Sequence, residues 1–298
     1  MYIGRTILKA EGGQLPKAYF TRESHYSVQI LGDLLGLEKV VVETLPDGGM
    51  DPNDLEQKLA IHADAPALIV ATVGTTFKGA IDRLDLIRPK LRGYPSYVHL
   101  DAALFGGYLP FTKFAREVAF ENRSENAAVG VGRYDSIAVS CHKFFGFPSP
   151  AGLFVTTQRR YDEFDALFSK IHNPEYIHQV PGTITCSRDA VKPAEFYYFT
   201  TPSAIARQEQ DARQMLDNTT YLLDRMRTDC PQLAPVRSNP QSNTIYFRDP
   251  GERIVNKYSL ATMNMPVAEK SIKHAHAIVM PHVSTEVLDE FVSDLRAS

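Results

Sequence analysis

Ser136-Ile-Ala-Val-Ser-Cys-His-Lys143, followed by Phe144-Phe-Gly-Phe147, is the stretch whose reading decides the fold. Ser136–Ser140 is apolar through its middle and short enough for a strand buried between layers. It ends on a lysine that enters an aromatic, glycine-bearing loop. A side chain leaving the carboxyl end of such a strand stands where open α/β sheets place their ligands. Burial there disfavours the ammonium form and leaves an amine able to form an imine. Taken alone, a His-Lys pair fits equally well a lysine snorkelling from a strand end.

The same pattern recurs outward from this stretch. Strand candidates Lys39–Leu45, Ala67–Thr72, Tyr97–Leu100 and Gly152–Thr156 alternate with helical runs, which predicts a mostly parallel sheet covered by helices on both faces. Asp51-Pro52 supplies an N-cap and a first-turn proline for a helix through Leu59, just after the turn Pro46-Asp-Gly-Gly49. The last third differs. Ala204–Met226 carries one apolar stripe of helical period, strands are expected at Asn243–Phe247 and His276–Met280, and a helix follows Ser284. The expected organisation is therefore an α/β domain over residues 1–203 and a small α+β domain over 204–298.

With 298 residues, 44% hydrophobic and 22% charged, the composition is that of a globular chain, and its net charge of -3 offers no global attraction for nucleic acid or anionic membrane. The longest apolar stretch, around Ala67–Val73, is too short to span a bilayer, and the start lacks a secretory h-region. Cys141, Cys186 and Cys230 are an odd, sparse set without metal-ligand spacing, which fits a reducing compartment. The expectation is a cytoplasmic protein with neither nucleic acid nor membrane as partner.

Three more features sit at expected strand ends. Asp101, closing Val98-His-Leu-Asp101 and followed by the small Ala102-Ala103, can keep the ring nitrogen of a flat cofactor protonated; it reads equally as a helix N-cap. The imidazole in Ser24-His25-Tyr-Ser27 can stack on such a ring, or simply cap the next helix. The hydroxyls of Gly74-Thr75-Thr76 can line the same crevice, or serve a βα turn. His274 and His276 share a strand face near His282, but no third ligand accompanies them in a metal geometry, so a packed or solvated pair is expected.

Taken in order, His25, Gly74-Thr75-Thr76, His99-Leu-Asp101-Ala-Ala103 and His142-Lys143 resemble the group II pyridoxal-phosphate-dependent amino-acid decarboxylases. The segments Tyr19–Ser27, Lys78-Gly-Ala-Ile-Asp82, Ser136–Lys143, Thr183–Arg188 and Ala275–Pro281 are similar to the histidine/serine decarboxylase branch. The resemblance runs from near Met1 to the closing helix. It implies PLP fold type I, like aspartate aminotransferase, with pyridoxal 5'-phosphate as cofactor and a homodimer whose active sites are shared. It also implies a histidine-, serine- or aromatic-type L-amino acid as substrate, released as the amine and CO2.

By the same resemblance Lys143 carries the cofactor, Asp101 pairs with its pyridine nitrogen, and His25 stacks on the ring face opposite Ala103. Thr75, Ser140 and His142 are implied close to the cofactor. Thr185 and Ser187 would reach the phosphate of the neighbouring subunit, and Tyr176 would return a proton to the α-carbon. The chain also departs from the pattern. Met1-Tyr-Ile-Gly4 aligns just inside the helix that follows the family's phosphate-cradling turn. Cys141 and Cys186 stand where relatives carry glycine, Asp189-Ala-Val191 replaces Asn-Gly-His, and the loop after Lys143 is unusually aromatic. These departures set two alternatives beside an active decarboxylase. One is an impaired or truncated relative acting as a dimerising partner; the other is a different fold-type-I lyase or aminotransferase.

Overall fold

The computed structural model describes residues 1–297 apart from 121–132, 171–174, 177–186, 188 and 268–269. Its first part runs α1 (Tyr2–Gly12), β1 (Lys17–Thr21), α2 (Tyr26–Leu34), β2 (Lys39–Val42), α3 (Pro52–Ile61), β3 (Ala67–Thr72), α4 (Leu84–Lys90), β4 (Ser96–Asp101), α5 (Phe105–Tyr108), β5 (Ser136–Ser140), β6 (Gly152–Thr156), α6 (Gln158–Phe168) and α7 (Val191–Phe199). The second runs α8 (Pro202–Asp229), β7 (Thr244–Arg248), α9 (Glu252–Tyr258), β8 (Thr262–Val267), β9 (Lys270–Ile278) and α10 (Thr285–Arg296).

The large sheet has the order β2-β1-β3-β4-β5-β6, parallel throughout except for the antiparallel edge strand β6. This is the α/β architecture expected from the sequence. β3, Ala-Leu-Ile-Val-Ala-Thr, is buried at every residue because helices cover both of its faces. Ile69 and Ala71 point into one apolar cluster with Val98, Leu100 and Leu55, while Leu68 and Val70 point into another with Tyr97, Ile7 and Phe164. Pro52 opens α3 behind Asp51, whose carboxylate accepts the Asn53 N–H at 2.8 Å.

The second sheet, β7-β9-β8, is antiparallel. α8 serves both units: Ala212 and Met215 pack into the large-sheet core, and Leu222, Leu223 and Met226 into the core of the small sheet. The expected division at 203/204 falls in its first turn. Among the described residues no helix is long and apolar enough to cross a membrane.

Four strand assignments change by more than one residue: the strand expected at Lys39–Leu45 ends at Val42, and three others differ. β1, absent from the expected set, lies between β2 and β3; β8 also was not anticipated. The strand expected at His276–Met280 begins earlier and runs Lys270–Ile278. β8 contains Pro266, which a ladder tolerates here because β8 lies at the sheet edge.

Candidate functional site

Parallel alignment brings the carboxyl ends of β1, β3, β4 and β5 to one crest. β4 is central, and its last residue, Asp101, is in register with Thr72 of β3 and Ala138 of β5. Beyond the strands, the Ser140 N–H donates to the Ala103 carbonyl at 2.9 Å, tying the exit of β5 to the residue two past Asp101. The Lys143 N–H then donates to the Ser140 carbonyl (3.2 Å), so the chain turns back and presents Lys143 over the crest. Contrary to the burial expected from its place at the strand end, the Lys143 side chain is exposed, because the loop after β5 turns it outward, and among the described residues its amine is in no ion pair.

Asp101 is partly buried. Its Oδ1 accepts the Ala103 N–H at 3.3 Å, and Oδ2 has no hydrogen-bond partner among the described residues. Burial raises its pKa above the usual carboxylate range; the Ala103 N–H and the charges of Lys143 and His25 pull it back down. Two basic side chains from flanking strand ends thus bear on one under-satisfied carboxylate. His25 is the N-cap of α2: its Nδ1 accepts the Ser27 N–H (3.3 Å) and lies 2.8 Å from Ser27 Oγ, while its ring leans on Tyr26 at 4.2 Å. Among the described residues only Nδ1 is engaged by this capping, which leaves Nε2 without a hydrogen bond.

Thr75 is buried, and its hydroxyl accepts the Ala80 N–H at 2.9 Å. It therefore works first inside the turn between β3 and α4. Gly74 has φ +95°, which L side chains rarely adopt, and a side chain there would overlap the Phe105 ring. His142 is exposed, with Nδ1 3.1 Å from the Ala151 carbonyl oxygen and 3.2 Å from its amide nitrogen, which ties this loop to the start of β6. Ala103 is half-buried beside Asp101. Cys141 is a buried free thiol, pushed up by that burial. Tyr176 is 86% exposed on a turn and Ser187 is exposed too; among the described residues no hydrogen bond, ion pair or ring contact joins either to Asp101, Lys143 or His25. Thr185 and Cys186 lie outside the described residues.

Sequence reasoning singled out Lys78-Gly-Ala-Ile-Asp82 only as a resemblance, and the structure gives each member work. Asp82 is fully buried, accepting the Thr72 N–H at 2.7 Å and the Met50 N–H at 2.6 Å. Ile81 bridges Val73, and the Ala80 carbonyl accepts the N–H groups of both Gly74 and Thr75 at 2.9 Å. Gly79 has φ +65°, and a side chain there would overlap Ser242 Oγ. Lys78 pairs with Glu23 at 2.6 Å. His276 does not sit in a metal cluster: its Nδ1 donates to the Phe77 carbonyl at 2.9 Å and its ring stacks on Phe77. Among the described residues no group of three or more His, Cys, Asp or Glu is placed to hold a metal ion.

This donor set fits a flat, cationic ring bearing an aldehyde. A desolvated carboxylate with a free oxygen suits a protonated ring nitrogen, and an unpaired amine on the neighbouring strand exit suits a carbonyl carbon.

The comparisons point the same way. Residues 9–248 match the pyridoxal-dependent decarboxylase conserved domain. The chain is 32% identical to a histidine decarboxylase of Solanum lycopersicum over 300 residues, covering 99% of this chain and 65% of that protein. It is 34% identical to serine decarboxylase 1 of Oryza sativa subsp. japonica, covering 93% and 53% respectively. For a histidine decarboxylase of Morganella morganii the figures are 32% identity, 99% and 71%. The chain thus spans between about half and seven tenths of these relatives' lengths. Among solved structures, L-methionine decarboxylase from Streptomyces sp. 590 superposes with a TM-score of 0.79 at 22% identity, covering 95% of this chain and 69% of that one. At that identity the likeness speaks for the fold alone.

Proposed function

Because this chain belongs to the pyridoxal-dependent decarboxylase family, we propose that it is a lyase that removes CO2 from an L-amino acid with pyridoxal 5'-phosphate bound at the crest. The observation that carries this is the convergence of Lys143 and His25 on the half-satisfied carboxylate of Asp101, from strand exits on either side of β4. The cofactor, when bound, supplies an electron sink for the charge left on the α-carbon as CO2 departs.

The chain's own residues do the rest. Lys143 would hold the cofactor covalently through its amine. Asp101 would keep a proton on the ring nitrogen: its burial makes a bare charge unfavourable, so the carboxylate gains by meeting a cation. His25, fixed through Nδ1 by the first turn of α2, would cover one ring face, with the methyl of Ala103 leaving room on the other. Ser140, His142 and Thr75 would shape the rim. Tyr176, on its exposed turn, is our candidate for delivering the proton to the α-carbon, and Thr185 and Ser187 for reaching the phosphate in a second subunit. Exposed Tyr26, Ile30 and Leu34 on α2 and Tyr197 and Tyr198 on α7 offer apolar surface for that second copy. The relatives' names support a histidine- or serine-type substrate, with aromatic amino acids the next to try. A cytoplasmic setting suits the free thiols of Cys141 and Cys230.

The test is to load the purified chain with pyridoxal 5'-phosphate, fix it with borohydride and map the adduct, while measuring CO2 from a panel of amino acids. The adduct belongs on Lys143, and CO2 release should need no keto acid. An adduct spread over surface lysines, with no CO2 from any amino acid, would refute the proposal. A keto-acid requirement would favour aminotransferase chemistry.

A further inference from the structure

The Phe77–Gly79 segment is where the small domain grips the crest. The Ser238 hydroxyl donates to the Lys78 carbonyl at 3.0 Å, Asn239 Nδ2 donates to the Gly79 carbonyl at 2.8 Å, and His276 both stacks on Phe77 at 4.6 Å and donates to its carbonyl. Three consecutive residues of a large-domain turn are thus fixed by β9 and the loop before β7.

From this gripped turn one side chain crosses to the loop that carries His25. Lys78 Nζ meets Glu23 Oε1 at 2.6 Å, with the two side chains only 11% and 13% exposed. The stem of Lys78 lies over Gly48, where a methyl group would come within 2.9 Å of its Cδ, so the ammonium has little freedom to look elsewhere. Glu23 sits in the tight turn between β1 and α2, closed by Ser24 N–H to the Thr21 carbonyl and Thr21 N–H to Ser24 Oγ, both 3.2 Å. Two residues on is the imidazole of His25. Among the described residues the side-chain hydrogen bonds of Ser24 and His25 reach only Thr21, Thr72 and Ser27, all within the large domain. Among the described residues the bonded link from the small domain into this loop therefore runs through the ion pair, and the Tyr246 phenol of β7 lies close enough for the Glu23 charge to act on it.

We propose that Glu23 and Lys78 form a positioning couple through which the small domain, holding residues 77–79, fixes the His25 loop and so the imidazole that would cover the cofactor. A buried pair suits this task. Removing one partner strands the other's charge in a covered site, so the couple favours one arrangement of both loops over all others. The proposal rests on the cofactor reading for its consequence, but not for its mechanics.

The experiment measures amide hydrogen exchange and pyridoxal 5'-phosphate affinity in the full chain for Lys78→Met, Glu23→Gln and Lys78→Arg. Exchange is read at Ser24, Ser27 and Val28, whose N–H groups are bonded within the loop. Lys78→Met should raise exchange there about tenfold and weaken cofactor binding by a similar factor, the usual size of a coupling between sites. Lys78→Arg, which keeps the charge, should recover most of both. His276→Ala should loosen the same amides in the wild-type background and add nothing in Lys78→Met. If Lys78→Met does not fold, Glu23→Gln, which keeps size and one hydrogen bond, is read the same way. A lowered melting temperature with unchanged exchange at these amides and unchanged cofactor affinity would overturn the proposal and leave the pair a simple staple. If the wild-type chain takes up no cofactor, the decarboxylase reading fails while the exchange measurements still decide the couple.

Discussion

Replacing Asp82 by asparagine should destabilise the chain most in mild acid, and the size of the effect follows from two hydrogen bonds. Both carboxylate oxygens accept backbone N–H groups, from Thr72 at 2.7 Å and from Met50 at 2.6 Å, in a fully buried site. Asparagine has one oxygen, so its NH2 must face the other N–H, and a buried donor loses its acceptor at a cost of about 1–3 kcal/mol. Unfolding entropy of about 2.1 cal/mol/K per residue gives about 0.6 kcal/mol/K for this chain, so a loss of about 2 kcal/mol lowers Tm by about 3 °C.

The pH dependence adds a sign. Burial pushes the Asp82 carboxyl up to about 7, the Thr72 and Met50 N–H groups oppose the rise, and the charges of Asp47 and Asp101 add to it. A carboxyl whose folded pKa exceeds its unfolded value near 4 binds a proton that the unfolded chain has released. Its stabilisation is full below the unfolded value and is lost as pH rises through the folded one, near 7. Asparagine has no such dependence. The wild type's advantage over Asp82→Asn should therefore be largest at about pH 4 and narrow by up to about 1.4 kcal/mol per unit towards pH 7, then level off. Circular-dichroism melts of both chains at four pH values across this range provide the test. Equal melting temperatures in mild acid, or a gap that widens with pH, would refute the reasoning.

Other perturbations separate the site from the scaffold. Asp101→Asn removes a carboxylate whose folded pKa burial raises, so it should melt no lower than wild type, gaining most at high pH, while cofactor-dependent CO2 release falls by about a hundredfold or more; melts and turnover check both halves. Lys143→Ala should abolish the borohydride-fixed adduct yet change stability by no more than about 0.5 kcal/mol, since the side chain is exposed; mass mapping and a melt suffice. Gly79→Ala puts a side chain onto Ser242 Oγ at φ +65°, and should cost about 1–3 kcal/mol and speed trypsin cleavage where the small domain meets the turn.

What the sequence could reveal depended on whether the deciding forces were local. β3, β5 and β6 have the expected limits because each is a short apolar or small-residue run flanked by turn residues. β1 escaped notice because Lys17 and Thr21 leave only three apolar residues between polar ends; its place is set by pairing with β2 and β3. β9 was cut short because its first half, Lys-Ser-Ile-Lys-His, is polar and partly exposed, and only the ladders to β7 and β8 hold it extended. Asp101, His25 and Lys143 were visible in the sequence, though through their order at successive strand ends and not through any single motif. The roles of Asp82 and of the Glu23–Lys78 pair were not, because their partners come from distant segments and nothing near them in sequence marks a carboxylate as buried.

The asymmetry between Asp101 and Lys143 sharpens what the fold provides. Lys143 stands on an exposed turn, held by one backbone hydrogen bond to Ser140, and a lysine there could adopt many poses. Asp101 ends the central strand, flanked in register by β3 and β5, and among the described residues the Ala103 N–H is the only hydrogen bond its carboxylate accepts. Holding a carboxylate half-buried with a free oxygen opposes stability, as its raised pKa records. Asp82, one strand away, shows that this fold can fully satisfy a buried carboxylate with backbone N–H groups. On the function proposed above, an Asp101 short of partners beside two basic side chains is what pairing with a protonated ring nitrogen would require, and what a structural aspartate would not.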